Sequence, residues 1–94
     1  MSTTLGVKNK AGWSRFINLC QNEKSTLEWE QFFELFLTDE EKENLATRVL
    51  IIDALLKSNL PQREIAKKLK VSIAKITRGS NMLKRVGPAL LDKL

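Results

Sequence analysis

Residues 62–81 constrain the fold more than any other segment, because they show the pattern of two short amphipathic helices joined by a tight turn. Ile65 and Leu69 give the first of these helices an apolar face. Ala66 is small where a second helix must cross closely, and Ser72 is placed to cap that second helix. Two such helices are typical of a helix-turn-helix, which inserts its second helix into the major groove of DNA.

The second of these helices has an apolar side and a polar side. Ile73, Ile76 and Leu83 recur at three- and seven-residue spacing, which predicts that they face the interior. The other side carries small and hydrogen-bonding residues, as a helix needs in order to approach base edges. These residues are Ala74, Lys75, Thr77, Arg78, Asn81 and Arg85.

The positive charge of the chain coincides with the same segment. The formal net charge is +5, but residues 61–86 alone carry +7, whereas residues 21–60 carry −5. A basic surface attracts the phosphates of nucleic acid. Charge and helix pattern therefore indicate the same function independently.

What the sequence lacks argues against several other classes of function. The 94 residues include no histidine and a single cysteine, Cys20, in an apolar helical pattern typical of a small buried hydrophobe. We therefore expect no metal site and no enzyme active site. No apolar run approaches the roughly 18 residues of a membrane span, and residues 1–10 lack the apolar stretch of a signal peptide. A cytoplasmic protein without membrane contact is expected.

Helical periodicity recurs almost throughout the chain and predicts an all-α fold. A first helix is expected over about residues 11–22 and a second over about residues 26–36. The second is apolar on more than one face and needs burial on several sides, which a chain this short can hardly provide. An intertwined homodimer would provide it.

A capping box at Thr38 and Glu41 predicts the start of a long third helix. That helix should run to about Lys57 and end near Asn59, with Pro61 in the first turn of the next helix. A short last helix is expected over residues 89–94.

Two residues do not fit their helices. Arg48 lies in an apolar helix with no acid one turn away, so its side chain is expected to reach for water. Gly79 costs a helix about 1 kcal/mol relative to alanine. Either the helix frays into a turn at residues 79–81, or a ligand or another backbone approaches closely there.

Several segments together resemble the Trp repressor family of tryptophan-responsive bacterial transcription factors. The resemblance spans most of the chain and is carried by residues 37–41, 46–49, 62–64 and above all 76–84, with a weaker match at 13–16. It implies an all-helical, intertwined homodimer with about six helices per chain and helix-turn-helix heads. It also implies repression of tryptophan-related genes when L-tryptophan binds as corepressor.

The resemblance implies a division of the chain as well. Residues 1–10 would be a flexible N-terminal arm, and residues 11–94 a single domain. Within that domain, residues 11–60 would form the dimerisation core, 61–85 the helix-turn-helix and 87–94 the short C-terminal helix.

The same resemblance implies how the corepressor is held. Arg48 and Arg78 would stack on opposite faces of the indole ring, and Arg78 would also hold the ligand carboxylate. Gly79 would leave room for the flat ligand, and Thr38 would support the carboxylate or Arg48.

Two further features concern the ligand ammonium. The backbone carbonyls of Leu35 and Leu37, from the other subunit, would receive it at a helix end that carries partial negative charge. Met82 stands where the family's type member has a serine that helps to hold the ammonium. We expect L-tryptophan to bind with its amino group discriminated less strongly.

For double-stranded operator DNA, the resemblance places Arg63 and Lys84 near phosphates or groove edges. The N-terminal half of the recognition helix would carry Ile73, Ala74, Lys75 and Thr77. Lys75 replaces a threonine of the type member, so operator preference is expected to differ.

Two other interpretations remain open from the sequence. One is a helix-turn-helix regulator that responds to a different ligand or to none. The other is a basic helical module that binds RNA or a protein, which would need neither a palindrome nor Gly79.

Overall fold

A computed structural model describes residues 6–94, and within them the chain forms six helices and no strand. The helices are α1 (Lys10–Cys20), α2 (Thr26–Phe36), α3 (Asp39–Lys57), α4 (Gln62–Leu69), α5 (Ile73–Leu83) and α6 (Pro88–Leu91). The prediction of an all-α fold with about six helices is confirmed. Lys10, assigned above to the N-terminal arm, begins α1, and residues 1–5 of that arm lie outside the described residues.

The structure divides into two compact units after Phe36. The first unit contains α1 and α2, joined by a cluster of all six aromatic side chains of the chain. These are Trp13, Phe16, Trp29, Phe32, Phe33 and Phe36. The ring centroids of Phe16 and Phe32 are 5.5 Å apart, and those of Phe32 and Phe36 are 4.9 Å apart. No residue of α1 or α2 is fully buried, and Leu35 remains 76% exposed.

The second unit packs α3, α4 and α5 against one another. Its buried core consists of Ile51, Ile65, Ala66 and Ile76. Partly buried apolar side chains surround that core, among them Leu69 and Val71. The predicted inward face of the helix-turn-helix is therefore confirmed at Ile65, Ala66 and Ile76, and Ile73 is corrected below.

The ends of α3 show how local hydrogen bonds set helix boundaries. The predicted capping box is present, since the Glu41 N–H donates to Thr38 Oγ1 at 3.1 Å and the Thr38 N–H donates to Glu41 Oε1 at 2.8 Å. The predicted end at Asn59 is wrong by one residue. Ser58 ends the helix in an extended conformation, and its hydroxyl donates to the Ala54 carbonyl at 2.7 Å.

Much of the apolar surface of α3 remains exposed in the single chain. Leu45, Val49 and Leu50 each expose about half of their surface. None of the described helices is long and apolar enough to cross a membrane.

The capping box generates a prediction about acid sensitivity. Hydrogen bonds from the Thr38 backbone N–H and to its hydroxyl hold the pKa of Glu41 below its ordinary value of 4.5. Because the folded pKa is depressed, this stabilisation is present above the unfolded pKa and is lost as pH falls through the folded value. Glu41→Gln keeps the capping geometry without a titrating group.

We expect wild type to lose more thermal stability than Glu41→Gln between pH 6 and pH 3, as measured by circular dichroism melts. Glu40→Gln is the matched control, since Glu40 lies in the same helical turn outside the capping box. An identical acid response in wild type and Glu41→Gln would contradict the prediction.

Candidate functional site

The turn between α4 and α5 has the geometry of a helix-turn-helix corner. Lys70 adopts the left-handed conformation, with φ of 58° and ψ of 43°, and ends α4. The Val71 N–H then donates to the Ala66 carbonyl at 3.0 Å. Ser72 caps α5 as predicted, because its Oγ accepts the Lys75 N–H at 3.3 Å. These bonds turn the chain sharply and set the start of α5.

One side-chain hydrogen bond ties the two helices together across the turn. The Thr77 hydroxyl donates to Gln62 Oε1 at 3.2 Å, which links the middle of α5 to the first residue of α4. Ile76, adjacent to Thr77, is fully buried in the core. The orientation of α5 is therefore fixed by both an apolar and a polar contact.

All six residues predicted to meet DNA are exposed: Arg63, Ile73, Ala74, Lys75, Thr77 and Lys84. Ile73 needs a correction, because its spacing also placed it on the inward side of α5. It is 50% exposed, since it is the first residue of the helix and lies beyond the buried contact at Ile76.

A pocket of about 310 Å³ lies between α3 and α5. We call it the α3–α5 pocket. Its walls are Asn44, Thr47, Arg48, Ile51 and Ile52 from α3, and Lys75, Arg78, Gly79 and Met82 from α5. Four of the seven predicted ligand residues are thus brought together: Arg48, Arg78, Gly79 and Met82. Its volume is at the lower end of the range of about 300–1,000 Å³ that is usual for small-molecule sites.

Arg48 and Arg78 enter this pocket from opposite helices. Both side chains are exposed, as expected for Arg48. Within residues 6–94 neither guanidinium has a hydrogen-bond or ion-pair partner. Their planar faces and donors therefore remain available to a ligand.

Gly79 is explained by helix packing. α5 continues through Gly79 to Leu83, so the fraying interpretation is wrong. A Cβ at this position would lie 2.9 Å from Ile51 Cγ2 and 3.4 Å from Leu55 Cδ1. The glycine lets α5 approach α3 this closely, and it also forms part of the pocket wall.

The three remaining predicted ligand residues lie elsewhere. Leu37 and Thr38 do not line the α3–α5 pocket, and the Thr38 hydroxyl is used by the capping box. Leu35 belongs to α2, in the first unit. Among the described residues, no backbone N–H donates to the carbonyl of Leu35 or Leu37. Those two carbonyl oxygens are therefore free to accept a hydrogen bond.

The sequence analysis missed part of the pocket. It did not assign Asn44, Thr47, Ile51 or Ile52 to a ligand site, and it gave Lys75 a role only in DNA binding. Spacing could have found them. Residues 44, 47, 48, 51 and 52 repeat at intervals of three and four, as do 75, 78, 79 and 82, so each set shares one helix face.

No group of three or more His, Cys, Asp or Glu within residues 6–94 could hold a metal ion.

Comparison with known proteins decides the family, because the model of the Trp repressor protein family matches residues 11–94. The chain belongs to the Trp repressor family. It is 52% identical over 86 residues to the Trp operon repressor homolog of Chlamydia caviae, covering 92% of this chain and 85% of that protein.

Other relatives are similar over comparable lengths. The Trp operon repressor homolog of Chlamydia trachomatis serovar D is 46% identical, with 93% of each chain covered. That of Vibrio parahaemolyticus is 40% identical, covering 87% of this chain and 80% of the relative. As a Trp repressor family member the chain is a DNA-binding, tryptophan-responsive transcriptional repressor and not an enzyme.

The packing at Gly79 predicts the effect of adding one methyl group. Alanine improves helix propensity by about 1 kcal/mol, but its Cβ collides with a branch of the buried Ile51, and overpacking costs about 1–3 kcal/mol. We expect Gly79→Ala to be destabilised by about 0–2 kcal/mol in urea unfolding. A Cβ at Gly87 meets nothing within 4 Å, so Gly87→Ala is the control and should change stability by less than about 0.5 kcal/mol. A Gly79→Ala protein clearly more stable than wild type would rule out the collision.

Proposed function

We propose that the protein is an L-tryptophan-dependent repressor that binds palindromic operator DNA as a homodimer and shuts down genes for tryptophan biosynthesis or salvage. The observation that carries this proposal is the α3–α5 pocket, which joins Arg48, Arg78 and Gly79 directly behind the DNA-binding helix of a Trp repressor family member. We place its action in the bacterial cytoplasm.

The ligand chemistry follows from the pocket walls. An indole ring between Arg48 and Arg78 would stack on both guanidinium planes. Arg78 would also bind the ligand carboxylate by charge-assisted hydrogen bonds. Ile51 and Ile52 supply the apolar contact that an aromatic ring requires.

Residues outside the pocket would complete the site in a dimer. We assign the ligand ammonium to the backbone carbonyls of the partner subunit's Leu35 and the partner subunit's Leu37. In this chain both carbonyls lack a backbone donor, and Leu35 lies in the last turn of α2, where the helix dipole favours a cation. Thr38 would support the carboxylate or Arg48 through whatever bonding capacity its hydroxyl retains beside the cap.

The exposed apolar surface supports the homodimer. Only four residues of the described chain are buried apolar residues, whereas twelve large hydrophobic side chains are exposed. A second copy would cover this surface. Leu45, Val49 and Leu50 on α3 make its dimerisation role explicit, since no described residue covers them.

Ligand binding would act on DNA through the position of α5. The pocket has one wall on α3 and the other on α5, so a bound ring fills the space between the two helices. The ligand would hold α5 at an angle that lets both heads of a dimer enter successive major grooves, about 34 Å apart. Without ligand, the heads would bind DNA poorly.

The DNA surface is assigned to exposed residues on the second unit. Arg63 and Lys84 would contact phosphates. The base edges would be approached by Ile73, Ala74, Lys75 and Thr77 at the N-terminal half of α5.

A calorimetric titration with L-tryptophan tests the ligand assignment. We expect one site per chain in wild type and about 10- to 150-fold weaker binding in Arg78→Ala, because hydrogen bonds to a charged group contribute about 1.5–3 kcal/mol. Arg85→Ala is the control, since Arg85 is exposed and does not line the pocket. No heat of binding from a folded dimer would favour a helix-turn-helix regulator with another trigger or none.

DNA binding in the presence of tryptophan tests the second surface. Arg63→Ala and Lys84→Ala should weaken binding to all sequences and each reduce the slope of log K against log salt by about 0.9, as expected for one lost phosphate contact. Lys75→Thr should instead change the preference among operator variants, by about 1–3 kcal/mol at the contacted base pair.

Fluorescence anisotropy with labelled duplexes measures both effects, with Lys93→Ala as the control outside the helix-turn-helix. Equal salt slopes for wild type, Arg63→Ala and Lys84→Ala would contradict the phosphate assignment. A binding preference for RNA over a palindromic duplex would replace the operator proposal with a basic RNA-binding module.

A further inference from the structure

The walls of the α3–α5 pocket are unbalanced in charge. Three of its nine lining residues are cationic, namely Arg48, Lys75 and Arg78, and none is acidic. Asn44 and Thr47 are polar and neutral, and the rest are apolar or glycine. Within residues 6–94 the pocket therefore attracts an anion and offers a cation only two side-chain oxygen acceptors.

A free amino acid would meet these walls unevenly. Its carboxylate has charged donors, and its ring has guanidinium planes and isoleucine side chains. Its ammonium carries three N–H donors that need oxygen acceptors, and like charges nearby disfavour it. The amino group therefore gains less from the pocket than the ring or the carboxylate does.

Met82 decides what lies next to the carboxylate. It is four residues after Arg78 on α5, so the two side chains are neighbours on one helix face, and both line the pocket. The thioether of methionine is only a weak hydrogen-bond acceptor. A ligand whose carboxylate is held at Arg78 thus has its amino-bearing carbon beside an apolar side chain.

We propose that the α3–α5 pocket takes aromatic carboxylates as a class, that it reads the ring and the carboxylate strongly and the amino group weakly, and that Met82 sets this tolerance. The inference deepens the proposed function and rests on it for the identity of the site. The carbonyls of the partner subunit's Leu35 and the partner subunit's Leu37 then supply most of the remaining discrimination for an amino group.

Three ligands separate these contributions in calorimetric titrations of the full chain. L-tryptophan has the ring, the carboxylate and the ammonium. Indole-3-propionate lacks only the amino group, and tryptamine lacks only the carboxylate. Wild type is compared with Met82→Ser, which introduces a hydroxyl acceptor, and with Met82→Leu, which stays apolar. Met82 is 45% exposed and lies outside the buried core, so both variants keep the packing of the second unit.

We expect wild type and Met82→Leu to bind L-tryptophan and indole-3-propionate within about tenfold of each other. Met82→Ser should raise the preference for L-tryptophan by a further two- to tenfold, the effect of one hydrogen bond. Tryptamine should bind at least a hundredfold more weakly than indole-3-propionate to every variant, because the carboxylate contacts are lost.

The outcomes distinguish the inference from the function on which it rests. If wild type prefers L-tryptophan over indole-3-propionate more than tenfold, or if Met82→Ser leaves the preference unchanged, the inference is overturned and the repressor proposal stands. If tryptamine binds nearly as well as indole-3-propionate, the inference is overturned as well. Binding of indole-3-propionate but not of L-tryptophan would overturn the proposed corepressor and support the ligand class. Binding of neither to folded protein would overturn both.

Discussion

The contact between Ile51 of α3 and Gly79 of α5 is the constraint on which the functional part of the structure depends. Because no Cβ intervenes, α5 lies close to α3, and Ile51 packs into the core with Ile65 and Ile76. The same approach brings Arg48 and Arg78 to opposite sides of one pocket. A bulkier residue at position 79 would separate the helices and widen that pocket. Fold and ligand site thus share one packing interaction.

The core built around this contact is small for a stable chain. Burial of apolar surface is the main force that offsets chain entropy, and a domain of this size buries only a modest fraction of its surface. Here the aromatic cluster of the first unit and the outer face of α3 stay partly open to solvent. On the proposed homodimer, folding and association are one process, so measured stability should depend on protein concentration.

The sequence was sufficient to predict the helices and the inward face of the helix-turn-helix, because periodicity and capping are local signals. Thr38, Glu41 and Ser72 show this directly. It was less successful where local options compete: Ser58 ends α3 in place of Asn59 through a bond to the Ala54 carbonyl. The pocket depended on tertiary packing, since spacing within one helix cannot tell which face of α3 meets α5. The resemblance supplied Arg48 and Arg78, but Lys75 required the structure.

Lys75 belongs at once to the wall of the pocket and to the exposed face of the DNA-binding helix. On the proposed function, this position is therefore subject to two selections. A substitution that adapts the protein to a new operator also alters the electrostatics around its effector, and a change favoured by the effector alters the choice of operator. Evolution through this residue cannot adjust one specificity alone, so compensating changes are expected at other pocket positions, such as Asn44 or Thr47, in lineages that differ at position 75.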